Sequence, residues 1–363
     1  MKKIGVLTFH RADNYGATLQ AYALQKVILE NDFNCEIIDY RNPKFEAHFQ
    51  NKSLKRKVIN SIKFFLYHKY YSDTKAKNIK FTNFRKKHFI ISEHYKNADV
   101  FSNEYTAVIV GSDQVWNVKL TDNDYTFFLP YRHGAKKLSY AASFGTSSFN
   151  DNDSLKMKQY IEQFDSLLVR EEDGIKFLSK MTDKLVNKVL DPTLLVREEQ
   201  WLKISKPFKN INEKYILLYL VADQKNAINI AKKIAHEKSL KIYYLDAGRF
   251  KIDGIINIKD VGPDEFICLI KNATYVITTS FHGLIFSLNF NTPFLFEMNH
   301  KSVNANSRLI EVMNTFRLEK YLIQSDDLIE YLNLSYNWEN INQLIDLERE
   351  KSKQLLLNSL RSL

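Results

Sequence analysis

Cysteine is nearly absent from this sequence of 363 residues, which contains only Cys35 and Cys268. The two lie far apart in apolar segments, and neither belongs to a CxxC pair or to a cysteine–histidine spacing of the kind that binds zinc. We therefore expect a reducing compartment and no zinc site. Because no other cluster has the usual ligand spacing, we also expect activity without a metal.

Long apolar runs are missing as well. No stretch reaches the roughly 18 uncharged apolar residues that a membrane-spanning helix requires. The first apolar run ends at Phe9 in a charged loop, so the N-terminal segment contains no signal-peptide core. We expect a cytoplasmic protein, either soluble or bound peripherally at the inner face of the cell membrane.

The two commonest phosphate-binding signatures of nucleotide enzymes, GxGxxG and GxxxxGK[ST], do not occur. Their absence argues against NAD enzymes and P-loop NTPases. The sequence also contains no recognised nucleic-acid module and no basic stripe interleaved with stacking aromatics. We therefore do not expect nucleic acid as a partner.

Positive charge, in contrast, is in excess: 52 lysines and arginines against 42 acids give a formal net charge of +10. Such a charge predicts anionic partners, such as phosphates, acidic glycans or lipid headgroups. Much of the excess lies between Lys52 and Lys87, where Asp73 is the only acid. Two hypotheses fit this segment: an amphipathic hairpin on an anionic membrane surface, or a helical insertion whose aromatics face a core.

Apolar runs alternate with helical patterns along most of the chain. The order KIGVLTF, ATLQAYALQKVILE and CEIIDY is typical of the first β-α-β unit of a doubly wound sheet. The loop from His10 to Tyr15 follows the first strand, at the end where such sheets bind ligands. This loop is a candidate site.

The same alternation begins again after a polar segment, Lys203 to Glu213, which is typical of a linker. We predict an α/β protein with two Rossmann-like domains built on parallel sheets, over residues 1–203 and 204–335. A basic helical insertion is expected near 50–90 in the first domain. The tail, 336–363, is predicted to be a helix that packs back on the first domain.

The corner TTSFHG follows the predicted strand YVIT. Ser280 can cap the helix that starts there, and the free N–H groups of the first turn can hold an anion. His282 lies in that turn, where an imidazole can act as a general acid or base, or as a cation toward phosphate. The alternative is a histidine packed between sheet and helix.

Two other corners carry polar and aromatic groups that suit a sugar. GSDQVWN offers the carboxylate of Asp113 and the indole of Trp116, which can bond hydroxyls and stack on a ring. DNYGATLQ offers Asp13, Asn14 and Gln20. The alternative for the first is a turn with Asp113 as a helix cap and Trp116 in the core; for the second, it is a turn and a helix start.

Three cations follow predicted strands: Arg170 after SLLV, and Lys301 and Arg308 after TPFLFEM. A guanidinium can bind a carboxylate or phosphate through two parallel hydrogen bonds. Alternatively, each is a solvated surface cation. For Arg170, a further alternative is pairing with the acids that follow it, Glu171, Glu172 and Asp173.

Taken in order, these corners resemble the polysaccharide pyruvyl transferase family. The resemblance covers most of the chain through NYGATLQAYAL, GSDQVWN, SYAASFG, VREEDG, LDPTLL, TTSFHGLIFSLNFNTPF and NSRLIEVM. It implies a fold similar to that of two-domain GT-B glycosyltransferases, with the site in the cleft between domains. It also implies phosphoenolpyruvate as donor and no further cofactor. The implied acceptor is a sugar hydroxyl pair, usually on a polyprenyl-linked precursor of capsule, exopolysaccharide or cell-wall polymer.

The resemblance and the chemistry of the side chains together assign candidate roles. His282 and Asp113 are the catalytic candidates, as acid or base and as acceptor orienter. The predicted donor contacts are Arg170, Ser280, Gly283, Lys301 and Arg308. The predicted acceptor contacts are Asp13, Asn14, Gln20 and Trp116.

One position departs from the family pattern. Many members carry an arginine two places before the histidine of the last motif, and here that place is Ser280. The positive charge would then have to come from Arg170, Lys301 or Arg308. Two other functions fit the same features: a GT-B glycosyltransferase that uses a nucleotide sugar, and a glycan-binding protein without catalytic activity.

Overall fold

The computed structural model describes residues 2–41, 73–95, 103–131, 133–145, 151–209, 211–221, 225–245, 252–299, 306–324 and 328–363. The hypothetical membrane hairpin lies mostly outside these ranges, because the basic segment is described only from residue 73 onward. Within the described ranges, no helix has the length and apolar character needed to span a bilayer.

The chain divides into two compact units. Unit 1 comprises Met1–His68, Arg85–Leu195 and Glu348–Leu363, and unit 2 comprises Lys69–Phe84 and Val196–Leu347. The division after Leu195 precedes the boundary predicted at residue 203.

Unit 1 is built on a parallel sheet of seven strands, ordered β3-β2-β1-β4-β5-β6-β7. The inner strands are buried apolar runs, as parallel sheets covered on both faces require. The strands are β1 Lys3–Leu7, β2 Asn34–Tyr40, β3 Ile91–Tyr95, β4 Ala107–Asp113, β5 Lys136–Ala142, β6 Leu167–Val169 and β7 Val186–Lys188.

The helices that connect these strands include α1, Tyr15–Leu29, which is buried along most of its length. Next along the chain is α2, residues 73–88, which begins in unit 2 and ends in unit 1. The others are α3 Asp151–Ile161, α4 Glu172–Leu178 and α5 Pro192–Leu195.

Unit 2 is built on a parallel sheet of five strands, ordered β10-β9-β8-β11-β12. They are β8 Tyr215–Tyr219, β9 Lys241–Leu245, β10 Ile256–Ile258, β11 Tyr275–Thr278 and β12 Phe294–Phe296. The helices are α6 Glu198–Leu202, α7 Lys225–Glu237, α8 Pro263–Lys271, α9 Phe281–Asn289, α10 Ser307–Phe316, α11 Leu328–Leu332 and the first part of α12, Trp338–Arg361.

Two strands were not predicted, β3 and β10. Both lie at an edge of their sheet. β3 reads ISEHY with mostly exposed side chains, and β10 has only three residues. Neither has the continuous apolar run that marks a central parallel strand.

The end of α12 belongs to unit 1. Arg349 Nε donates to the carbonyl of Leu194 at 2.6 Å, and Ser352 Oγ accepts from the Leu190 amide at 2.9 Å. These bonds hold the last turns of the chain against the segment that follows β7.

The strand orders define one switch point in each sheet. In unit 1, β1 lies beside β4, and in unit 2, β8 lies beside β11, so the connections run in opposite directions from each pair. Open parallel sheets bind ligands outside the carboxyl ends of their strands at this point. The candidate sites are therefore the corners after β1 and β4 and those after β8 and β11.

Candidate functional site

The corner of unit 2 is held together by the hydroxyls of two threonines. Thr278 Oγ1 donates to the Tyr219 carbonyl at 2.6 Å and accepts from the Ser280 amide at 2.9 Å. Thr279 Oγ1 accepts from the Val221 amide at 3.0 Å. These bonds tie the carboxyl end of β11 to that of β8, which fixes the chain that enters α9.

The start of α9 needs a small residue close to the sheet. Ser280 caps the helix, as predicted, and its Oγ accepts from the Gly283 amide at 3.4 Å. A Cβ at Gly283 would lie 2.4 Å from Thr278 Oγ1 and 3.1 Å from Tyr219 Cδ1. Glycine therefore lets the first turn of α9 approach the strand ends closely, where its positive end faces the corner.

His282 lies in this first turn and is buried. Its ring meets that of Phe281 edge to face, with 5.0 Å between centroids. The guanidinium carbon of Arg308 lies 5.7 Å from the centre of the Phe281 ring, within the range of a cation–π contact. The structure thus places Arg308, a predicted donor contact, near the histidine corner.

Asn306, which was not among the predicted site residues, lies two positions before Arg308. Asn306 Oδ1 accepts from the Asn299 amide at 2.7 Å, and its Nδ2 donates to the Asn299 carbonyl at 2.9 Å. This pair of bonds fixes the start of α10, because Asn306 immediately precedes it. The predicted donor contact Lys301 lies outside the described residues.

In unit 1, the start of α1 uses both predicted polar residues for local bonds. Asn14 Oδ1 accepts from the Ala17 amide at 3.1 Å and caps the helix. Asp13 Oδ1 accepts from Arg85 Nη1 at 2.8 Å. Both residues retain partial or full solvent exposure, so they stay candidates for acceptor contact.

A buried chain of hydrogen bonds crosses the strand ends of unit 1. Gln20 Nε2 donates to Thr8 Oγ1 at 2.9 Å, and Thr8 Oγ1 donates to the Ser112 carbonyl at 3.1 Å. Ser112 Oγ then donates to Asp191 Oδ2 at 3.0 Å. Gln20 has no exposed surface, so the acceptor contact predicted for it is wrong. Its amide joins α1 to β1 instead.

Arg170 ends the same network. Its Nη1 donates to Asp191 Oδ2 at 2.9 Å and its Nε to Glu171 Oε1 at 3.0 Å. Burial alone would lower the pKa of Arg170, but the charges of Glu171, Asp191 and Asp113 raise it above its usual value. The donor contact predicted for Arg170 does not fit this position, because a buried guanidinium between two carboxylates is neutralised within the protein.

The two site residues predicted after β4, Trp116 and Asp113, differ in their exposure to solvent. Trp116 has no exposed surface, packs against Phe128 and Phe144, and donates from Nε1 to the Phe127 carbonyl at 2.9 Å. This burial contradicts the predicted stacking on a sugar and agrees with the alternative only in placing the indole in the core. Asp113 is partly exposed and has a φ of 74°, a left-handed conformation that is uncommon for aspartate.

His10 lies in the loop predicted as a candidate site, but the side chains around it were not predicted. His10 Nε2 lies 3.2 Å from Asp39 Oδ1, and Arg41 Nε donates to Asp39 Oδ2 at 3.1 Å. Burial would raise the pKa of Asp39, but the hydrogen bonds from His10 and Arg41 hold it well below its usual range. Only the pairing of β1 with β2 brings these residues together, so no local signal could have shown the cluster.

Within the part of the chain that the structure describes, no group of three or more histidine, cysteine, aspartate or glutamate side chains is arranged to hold a metal ion.

Most of the sequence is matched by the model of a known family. A family model described as polysaccharide pyruvyl transferase matches residues 14–300. The chain belongs to this family. Membership confirms the predicted resemblance and makes the protein an enzyme, a transferase that acts on polysaccharide. No curated protein matches this pyruvyl transferase.

Solved structures confirm the GT-B type of fold for the pyruvyl transferase. The UDP-N-acetylglucosamine 2-epimerase of Rickettsia bellii is similar with a TM-score of 0.56 and 12% identity, over 99% of this chain and 96% of that chain. The UDP-GlcNAc 2-epimerase of Neisseria meningitidis, bound to UDP-GlcNAc, gives 0.53 and 11%, over 100% of both chains. Arabidopsis thaliana UGT89C1 with UDP-L-rhamnose gives 0.52 and 10%, over 98% of both.

Ser280 lies at the position where the resemblance led us to expect an arginine, two places before His282. Of the three cations predicted to compensate, Arg170 is enclosed by carboxylates in unit 1 and Lys301 is not described. Arg308 lies beside Phe281 in unit 2.

Proposed function

We propose that this pyruvyl transferase moves the pyruvyl group of phosphoenolpyruvate onto two hydroxyls of one sugar, forming a ketal. The sugar belongs to a bacterial surface polysaccharide or to its lipid-linked precursor. One observation carries the proposal: His282 follows the Ser280 cap at the switch point of the second sheet, with Arg308 over the ring of the adjacent Phe281. A proton donor, a helix N-terminus and a guanidinium in one corner are what an anionic enol donor requires.

The reaction needs three proton transfers and one leaving group. A proton added to the methylene carbon of the donor creates a cationic centre at the carbon that bears the phosphate. One sugar hydroxyl forms a C–O bond there, the C–O bond to phosphate breaks, and the second hydroxyl closes the ring. Each hydroxyl loses a proton; one restores the acid, and the other leaves with inorganic phosphate.

We assign the acid to His282 and the binding of the donor's negative groups to Arg308 and the first turn of α9. Ser280 and Gly283 shape that turn. Asp113 orients or deprotonates the acceptor, and Asp13 and Asn14 contact it. The role predicted for Lys301 remains a prediction, and no cofactor or metal takes part in the proposed steps.

A cytoplasmic location at the inner face of the membrane belongs to the same proposal. A lipid-linked acceptor would be presented there, and the net charge of +10 favours an anionic surface. The acceptor itself is identified only by its chemistry, as a sugar with two neighbouring hydroxyls.

The test is a titration of phosphoenolpyruvate into the wild type, His282→Gln and Arg308→Gln at low salt, followed by phosphate release in the presence of candidate acceptors. We expect His282→Gln to abolish phosphate release, and Arg308→Gln to weaken donor binding by about tenfold or more, as for loss of one charged hydrogen bond. His236→Gln, on the exposed face of α7, is the matched control and should behave as wild type.

Turnover by His282→Gln would contradict the assignment of the acid. Hydrolysis of a nucleotide sugar with no response to phosphoenolpyruvate would instead indicate a glycosyltransferase. Glycan binding that is indifferent both to phosphoenolpyruvate and to the His282 change would indicate a binding protein.

A further inference from the structure

The corner after β4 in unit 1 presents a side-chain amide next to the carboxylate of Asp113. The amide belongs to Gln114, which follows Asp113 at the switch point between β1 and β4. Both side chains are partly exposed, whereas the next two residues, Val115 and Trp116, are buried. This corner therefore offers two adjacent polar side chains to solvent, directly before a buried segment.

A chain of hydrogen bonds determines which end of the Gln114 amide is left for a ligand. The backbone N–H of Leu120 can only donate, and Asn117 Oδ1 accepts from it at 3.3 Å. The other end of that amide, Asn117 Nδ2, therefore donates to Gln114 Oε1 at 3.0 Å. Gln114 Nε2 has no hydrogen-bond partner among the described residues, so its two N–H groups are available to a ligand.

Packing also holds the side chain of Gln114 in place. It lies against Gly145, where a Cβ would come within 2.5 Å of Gln114 Cδ and 2.8 Å of Gln114 Cγ. Gly145 has a φ of 62°, a left-handed conformation that glycine adopts without strain, and its amide donates to Ser143 Oγ at 3.2 Å. Because the glutamine is held before a ligand arrives, little side-chain entropy is lost when its amide binds.

Asp113 offers the complementary acceptor. Its Oδ1 accepts from the backbone amide of Gln114 at 2.9 Å, and its Oδ2 has no hydrogen-bond partner in the part of the chain that the structure describes. The backbone of Asp113 is held in its left-handed conformation, with a φ of 74°, and its carbonyl accepts from the Ser143 amide at 3.0 Å. Such strained residues cluster at binding and catalytic sites.

We propose that Gln114 is a specificity-determining residue for the acceptor sugar: its Nε2 donates to one hydroxyl, while Asp113 Oδ2 accepts from the neighbouring hydroxyl. Two sugar hydroxyls can satisfy one donor and one acceptor together, because each hydroxyl both donates and accepts. A sugar that lacks the first hydroxyl leaves the held N–H groups unpaired and is bound less tightly. The identity of the ligand as the acceptor rests on the proposed function, but sugar binding at this corner requires neither phosphoenolpyruvate nor His282.

The test measures sugar binding by saturation-transfer NMR titration in the absence of phosphoenolpyruvate. The probes are the methyl glycosides of glucose, galactose, mannose and N-acetylglucosamine, and the monodeoxy analogues of those that bind. We expect the wild type to bind a parent sugar about three- to tenfold more tightly than the analogue that lacks the contacted hydroxyl, the effect of one neutral hydrogen bond. A wild type that binds no probe, or that discriminates against no analogue, would overturn the proposal.

Gln114→Met removes the donor, and Gln114→Ala serves if the methionine variant does not fold. Each should bind the parent sugar about three- to tenfold more weakly and the deoxy analogue as tightly as the wild type does, so the preference disappears. The matched control is Gln159→Met, an exposed glutamine of α3 in the same unit, which should keep the preference.

Equal weakening of both sugars by the Gln114 variants would indicate a merely structural role and overturn the proposal, as would loss of the preference in Gln159→Met. Phosphate release from phosphoenolpyruvate separates this proposal from the proposed function. A preference that depends on Gln114 supports the sugar site even where no phosphate is released, and that second failure would count against pyruvyl transfer alone.

Discussion

Each sheet of this pyruvyl transferase carries a histidine at the carboxyl end of a strand beside its switch point, yet the two surroundings differ. His10 lies between a carbonyl and a buried carboxylate. His282 lies in the first turn of a helix, against the ring of Phe281. The shared topology explains where the histidines are, but their neighbours differ: a buried carboxylate for His10 and an aromatic ring for His282.

The same contrast holds for the arginines of the two corners. Arg170 is buried and bonded to Asp191 and Glu171. Arg308, at the start of α10, instead contacts the face of the Phe281 ring. A cation after a parallel strand is therefore not by itself a ligand contact. Its partners within the fold decide between a structural and a binding role.

The largest loss of stability is expected from a substitution at Asp191, the buried partner of Arg170. Asp191→Asn should lower the free energy of unfolding by about 3–5 kcal/mol, because it leaves the charge of Arg170 buried and less compensated. Urea denaturation measures the loss. The control Asp346→Asn breaks an exposed pair with Arg197 and should lose less than about 1 kcal/mol. Equal losses in the two variants would show that the buried network is not structural.

A smaller effect is expected where α9 approaches its sheet. Gly283→Ala should destabilise the protein by about 1–3 kcal/mol, because the new Cβ would overlap Thr278 Oγ1. Weaker phosphoenolpyruvate binding should accompany the loss, since the turn that carries His282 must shift.

The matched control is Gly174→Ala, at the start of α4, where the nearest atom to the new Cβ is 3.3 Å away. It should destabilise the protein less than Gly283→Ala does in thermal denaturation, and it should leave donor binding unchanged. If both alanines were tolerated equally, the close approach of α9 would not matter for the site.

The smallest effects are expected at the two helix caps. Asn14→Ala and Ser280→Ala should each cost about 1 kcal/mol of stability, because each leaves an amide of the first turn without its cap. Their effects on ligands should differ: Ser280→Ala should weaken phosphoenolpyruvate binding and Asn14→Ala should not. A reduced donor affinity in Asn14→Ala alone would reverse the proposed division of roles between the units.

Much of the fold could be predicted from the sequence, because buried parallel strands appear as continuous apolar runs such as KYILLYLV and helices follow them at regular intervals. β3 and β10 were not predicted, because these two edge strands are polar or short. The cap at Ser280 was predictable because a cap depends on residues within one turn.

The candidate site was predictable only where its contacts are local. Trp116 has the residue type that binds sugars, yet its indole lies in the core; side-chain type alone cannot separate these outcomes. Asp191, a partner of Arg170, follows β7, and Asp39, the partner of His10, lies in β2. Such pairs depend on strand order, which a single sequence does not state.

The order along the chain of the segments that form unit 1 has a consequence for synthesis on the ribosome. Its last segment, Glu348–Leu363, is translated after the whole of Val196–Leu347, which belongs to unit 2. The ribosome therefore delivers the carbonyl of Leu194 long before Arg349, the residue that donates to it. Unit 1 cannot make its final contacts until unit 2 has emerged, so the part of the protein that begins first is completed last.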